Sequence, residues 1–167
     1  MTQTDQIPNP ESRLVEIELV EDDSAPQSQE MEQERRVAIF DLLESNEFAL
    51  TDANETGAGP YTLKLDATGE LLSFDLRSDA DAPPAVFTLS AAGYEQVVRD
   101  YNRVCATYLD AVRHLTPAQI ETADSARRAI HDEAAQRLSD DLKVWARVNM
   151  ATARRLFTLI SILRASA

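Results

Sequence analysis

The chain has 167 residues, enough to bury on the order of 70% of its extended-chain surface around one core without disulfide or metal staples. Cys105 is its only cysteine, which excludes an intrachain disulfide and a thiolate metal cage. A net charge of -13 repels phosphate backbones at long range and argues against a nucleic-acid partner.

Residues 1–12 hold Pro8 and Pro10 and no apolar period, so they are expected to form a disordered lead before a single domain over 13–167. The opening Met1 to Gln6 is polar and acidic, unlike a secretory leader. From Arg13 to Glu21, Val15, Ile17 and Leu19 alternate with Glu16 and Glu18, which predicts a half-buried strand. After a polar loop a helix is predicted from Ser28 to Ser45. Its apolar set is Val37, Ala38, Ile39, Phe40, Leu42 and Leu43, and Glu30, Glu32 and Glu34 suit the positive end of its dipole.

Phe48 to Leu50 reads as a short strand. Tyr61, Leu63 and Leu65 alternate, as do Leu72, Phe74 and Leu76, with Asp66 to Glu70 composed like a hairpin loop between them. Ala85 to Leu89 is predicted as the last strand. Short turns join these neighbours, so the sheet is expected to be mostly an antiparallel meander.

The period then changes. Tyr94, Val97, Val98, Tyr101, Val104, Cys105, Tyr108, Leu109, Val112 and Leu115 recur every three or four residues, which predicts a long amphipathic helix with Ser90 as its N-cap. Thr116, Pro117 and Gln119 form a capping box with proline at the first helical position, opening a helix that runs to about Leu142. A last helix, Asn149 to Arg164, is apolar almost all round from Leu156 to Leu163 and is expected to be buried and central. That run is far too short to span a bilayer. Strands followed by helices predict an α+β fold.

Ala38-Ile39-Phe40-Asp41-Leu42-Leu43-Glu44, Asp100-Tyr101, Arg127 to Glu133 and Thr152 to Ile160 resemble the pattern of uncharacterised protein family 0262. The resemblance covers nearly everything from Arg13 to Arg164. It implies a bacterial protein of about this length with no established activity. It also leads one to expect glycines where Ala129 and Ala134 stand, and acids where Asn149 and Ala151 stand.

Among polar constellations, Asp124, Arg127 or Arg128, and His131 share a helical face. Two arginines beside a histidine can clamp a phosphate or carboxylate while the histidine moves a proton. Structural ion networks make the same pattern, with Asp124 paired to an arginine and His131 packed on the next helix. Arg154 and Arg155 can join the cluster as further anion ligands, or can bond the ends of neighbouring elements. Tyr94, Tyr101 and Tyr108, seven apart, read as a core stripe with wet hydroxyls. Cys105 has no basic residue one turn away on its own face, so an activated thiol is not expected.

Two histidines are too few for a metal phosphohydrolase. His131-Asp132-Glu133 lacks the later Pro-Cys-x-x-Cys of zinc deaminases. Four glycines leave no phosphate loop and no dinucleotide fingerprint. No cofactor is therefore expected. The first functional reading is a cytoplasmic accessory or interaction protein without catalysis, whose partner is another protein. The rival is a binding protein or enzyme for an anionic metabolite, a phosphate or a carboxylate, using Arg127, Arg128, His131, Arg154 and Arg155 with Asp124 in support. Neither reading involves a membrane.

Overall fold

In a computed structural model, residues 11–21, 28–51, 59–78 and 82–165 are described. They form β1 (Leu14–Val20), α1 (Gln29–Glu44), β2 (Phe48–Leu50), β3 (Tyr61–Asp66), β4 (Leu71–Ser78), β5 (Ala85–Ser90), α2 (Glu95–His114), α3 (Pro117–Leu142), β6 (Ala146–Val148) and α4 (Met150–Ala165). This is an α+β fold, with the sheet drawn mainly from the N-terminal half and α4 at its centre.

The main sheet has the order β1-β3-β4-β5. β3, β4 and β5 are the expected antiparallel meander, with Leu63 opposite Leu76 and Phe74 opposite Phe87. β1 departs from it by lying parallel to β3. A parallel pair needs a long crossover, and α1 lies in the connection between these two strands. β2 leaves the sheet altogether and pairs antiparallel with β6, Phe48 opposite Val148. β6, a three-residue strand between two long helices, leaves no periodic mark in the sequence.

β1 also corrects the expected alternation. Its register shifts between Leu14 and Glu16, so Val15 is the extra residue of a bulge and is 43% exposed. Leu14 takes the buried position opposite Tyr61, while Ile17 and Leu19 pair with Leu63 and Leu65 and pack on the core. Asn46 ties this strand to α1. Its Nδ2 donates to Leu14 O at 2.9 Å and Leu42 O at 2.8 Å, and its Oδ1 accepts from Leu14 N at 2.7 Å. The lead expected over 1–12 lies outside the described residues up to residue 10. Ser12 is held, its carbonyl accepting from Phe48 N at 2.9 Å. Gly59, at φ +92, passes so close to Glu11 O that a side chain there would collide with it.

α1 opens on Ser28, whose hydroxyl accepts from Met31 N at 3.1 Å. Of its apolar set only Ala38 and Leu42 are buried, and Phe40 is 67% exposed. Ser90 does not cap α2. It precedes a short 3₁₀ turn, Ala91–Tyr94, and its side chain makes no cap bond, so α2 begins one turn later than the periodicity suggests. The Thr116 and Gln119 capping box is present in full at the start of α3. α4 is capped by Asn149, whose Oδ1 accepts from Thr152 N at 2.9 Å and Thr152 Oγ1 at 2.6 Å.

From Thr152 onward α4 buries nine residues, among them Leu156, Phe157, Leu159, Ile160 and Leu163. It runs between α1, α2 and α3 and joins one core with the sheet. Arg164 at its end donates to Ala67 O at 3.1 Å and Gly69 O at 2.6 Å, fastening the β3–β4 turn. No helix among the described residues is long and apolar enough to cross a membrane.

Candidate functional site

α1, α2, α3 and α4 leave a cavity of about 620 Å³ between them. Its walls are largely apolar, with Val37 and Ala38 from α1, Tyr101, Cys105 and Leu109 from α2, and Ile162 from α4. Arg127 and His131 enter from α3, and Arg154, Arg155 and Thr158 from α4. Four of the five cationic candidates therefore meet in one concavity. Arg128 does not line it. Its side chain is 61% exposed and bonds Asp124 Oδ2 at 3.2 Å.

The arginines are held differently. Arg127 bonds Asp124 Oδ1 through Nη2 at 2.6 Å and Nε at 3.1 Å, and lies 5.3 Å over the Tyr108 ring. The Arg127 hydrogen bond holds the Asp124 carboxyl below its ordinary range. Arg154 Nε donates to Asp132 Oδ1 at 2.6 Å. Arg155 has no carboxylate within 4.0 Å among the described residues, and its Nη1 donates to Ser45 O at 2.8 Å. A guanidinium carries five N–H donors, so most of those on Arg155 remain available.

His131 is fixed by two aromatic rings and at one nitrogen. Its ring stacks on Tyr101 at 5.0 Å and tilts against Phe157 at 6.0 Å. Nε2 lies 2.9 Å from Arg154 O and 3.0 Å from Thr158 Oγ1. A carbonyl only accepts, so Nε2 carries the proton in the neutral ring and Nδ1 is the acceptor. Burial first, and then the Arg127 charge, push the imidazole below its usual value, against the Arg154 carbonyl, which favours the charged form. Tyr101 is pushed up to about 12, chiefly by burial and then by Cys105, and burial also raises the Cys105 thiol. Neither is an activated nucleophile at neutral pH.

Two of the three stripe tyrosines, Tyr94 and Tyr101, are core as expected, whereas Tyr108 is half-buried and lines the cavity. Tyr94 donates to Asp141 Oδ2 at 2.5 Å, and Tyr101 is buried beneath the cavity. Sequence reasoning missed the α1 wall. Gln33, Glu34 and Asp41 line the cavity beside Val37 and Ala38. The available signal was an acid pair seven residues apart on a helix's apolar side, which a purely solvated helix has no cause to show. Of the positions where the resemblance implies other residues, Asn149 serves as a cap and Ala151 lines the cavity with a methyl group.

Among the described residues no group of three His, Cys, Asp or Glu side chains is arranged to hold a metal ion. The arrangement can bind an organic anion, with hydrogen-bond donors at one end of an apolar space and a neutral imidazole beside them.

The model of an uncharacterised protein family, UPF0262, matches residues 11–166. Similar proteins include a UPF0262 protein of Paracoccus denitrificans (strain Pd 1222), 47% identical, the match covering 91% of this chain and 95% of that one. Others come from Ruegeria sp. (strain TM1040), 46% identical over 91% and 97%, and Nitrobacter hamburgensis, 43% identical over 91% of each. No solved structure matches. With the family model and these relatives spanning nearly the whole chain, the protein belongs to UPF0262.

Proposed function

We propose that this protein is a cytoplasmic binding protein for a small organic carboxylate. The observation that carries the reading is Arg155, which lines an apolar cavity of about 620 Å³ without a carboxylate partner among the described residues. A carboxylate can take two parallel N–H bonds from such a guanidinium, while the ligand's hydrocarbon body displaces water from Val37, Leu109 and Ile162. The volume lies in the usual range for small-molecule sites. The cytoplasmic placement rests on the lone thiol and the acidic surface.

The test is thermal unfolding in hexanoate, octanoate or 3-phenylpropionate against chloride at equal ionic strength. A ligand present at a hundredfold over its Kd adds about 2.7 kcal/mol, which for a chain of this size raises Tm by about 5–10 °C. Arg155→Gln should remove that rise while leaving Tm in chloride within a few degrees, because it loses one exposed bond to Ser45 O. Carboxylates that act no differently from chloride would overturn the reading.

The second reading, an accessory protein without a ligand and with a protein partner, draws on the pairing of Arg127 and Arg128 with Asp124 and of Arg154 with Asp132. Under it these arginines are structural. Substituting Arg127 or Arg154 then destabilises the protein equally in every salt, and no anion is preferred.

A further inference from the structure

The cavity contains unlike charges that do not meet. Arg127, Arg154 and Arg155 line it from α3 and α4, and Glu34 and Asp41 line it from α1. Among the described residues neither acid has a cation within 4.0 Å, and each arginine takes its partner elsewhere: Asp124, Asp132 and Ser45 O. Unlike charges in a confined space attract strongly. That they remain apart means the cavity itself separates them.

We propose that the ligand is an amino-carboxylate, its carboxylate on the arginines of α3 and α4 and its ammonium on Glu34 and Asp41 of α1. This rests on the carboxylate reading and names the ligand more narrowly. Asp124 and Asp132 already offset Arg127 and Arg154, which leaves Arg155 on one side of the lining and Glu34 and Asp41 on the other. A dianion such as phosphate would leave both acids facing further negative charge, whereas a zwitterion offers its carboxylate to Arg155 and its ammonium to the acids. Glu34 and Arg127 also flank one thiol. After burial, which raises the Cys105 ionisation, and the Tyr101 hydrogen bond, which lowers it, Arg127 lowers it and Glu34 raises it, so both charges lie near that thiol. Burial and the neighbouring Glu30 push the Glu34 carboxyl upward, as befits a carboxylate with no cation beside it. Asp41 lies one helical turn before Ser45, the residue that anchors Arg155, so ligands of different lengths would span different pairs of charges.

The experiment is calorimetric titration of the full chain with ω-amino-carboxylates from 3-aminopropionate to 8-aminooctanoate. The n-alkanoates and n-alkylamines of equal carbon number serve as controls. At one chain length the amino-carboxylate should bind at least tenfold tighter than both its controls. Glu34→Gln with Asp41→Asn should reduce it to the level of the alkanoate, and Arg155→Gln should weaken the alkanoate as well. Alkanoates that bind as tightly as amino-carboxylates at every length would overturn the inference and leave the carboxylate reading standing. If neither series binds, the carboxylate reading falls and takes the inference with it. The wild-type ratios decide the matter even if a variant fails to fold.

Discussion

His131 shows how a side chain can be committed and available at once. Nε2 is spent on Arg154 O, and the ring packs against Tyr101 and Phe157. No buried side-chain nitrogen or oxygen among the described residues lacks a partner, and Nδ1 has no protein partner there. Nδ1 is therefore open to solvent, in a residue that lines the cavity. The pH consequence follows from the lowered ionisation. Below the ordinary value of 6.5 the unfolded chain takes up a proton that the folded ring resists. Stability should accordingly be full above about pH 6.5 and decline as the pH falls below it, by at most about 1.4 kcal/mol per pH unit. The decline ends once the folded ring also protonates. Asp124 and Asp132 face the ring's neighbours Arg127 and Arg154, so the wild type must be compared with His131→Gln. Urea unfolding between pH 7.5 and 5.5 should show a steeper slope for the wild type, and equal slopes would refute the assignment.

At the scale of elements, periodicity made most of the fold legible, and local competition explains the rest. The capping box at Thr116 and Gln119 was readable because it uses two side chains at a fixed spacing. Val15 was misplaced because a bulge has no mark in an alternating sequence, and one extra residue turns its side chain away from the core. β6 could not be seen because three residues make no period. Its pairing with β2 is set by the tertiary position of α4, where Thr152 Oγ1 accepts from Glu47 N at 2.9 Å. The cationic half of the site was legible as an i, i+3, i+4, i+7 set on one helix. Glu34 and Asp41 were not, because only the packing of α1 on α4 turns their face toward the arginines. α4 was the plainest element of all, since Leu156 to Leu163 admits no exposed face. Phe157→Ala should cost about 3–5 kcal/mol by chemical denaturation. Phe157 is fully buried and meets Tyr101 edge-on at 5.4 Å. A loss within about 0.5 kcal/mol, the scale of surface changes, would mean α4 is not the core.

Across the whole molecule the uneven charge serves local ends. None of the bases of α4 pairs with an acid of the N-terminal stretch among the described residues. Arg154 goes to Asp132 and Arg164 to Glu95, while Arg35 of α1 pairs with Glu21 just after β1. Glu16 and Glu18 stand exposed on β1, the edge strand, where charge discourages pairing with another sheet. The sheet and the helices are joined instead through apolar contact, and this makes a testable claim about cooperativity. Trp145 is the only tryptophan. It stacks flat on Phe87 of β5 at 5.0 Å, and Phe87 stacks on Phe74 of β4 at 5.1 Å. Its fluorescence therefore reports the sheet, while circular dichroism at 222 nm is dominated by the four helices. Leu142, Ala146, Leu156 and Phe87 belong to one buried cluster, so neither part can lose its packing without exposing the other. The two probes should give coincident urea transitions with one midpoint, as a single cooperative unit requires. Separate midpoints, with tryptophan emission changing before the helices melt, would show that the sheet unfolds on its own and that the domain is two units joined by α4.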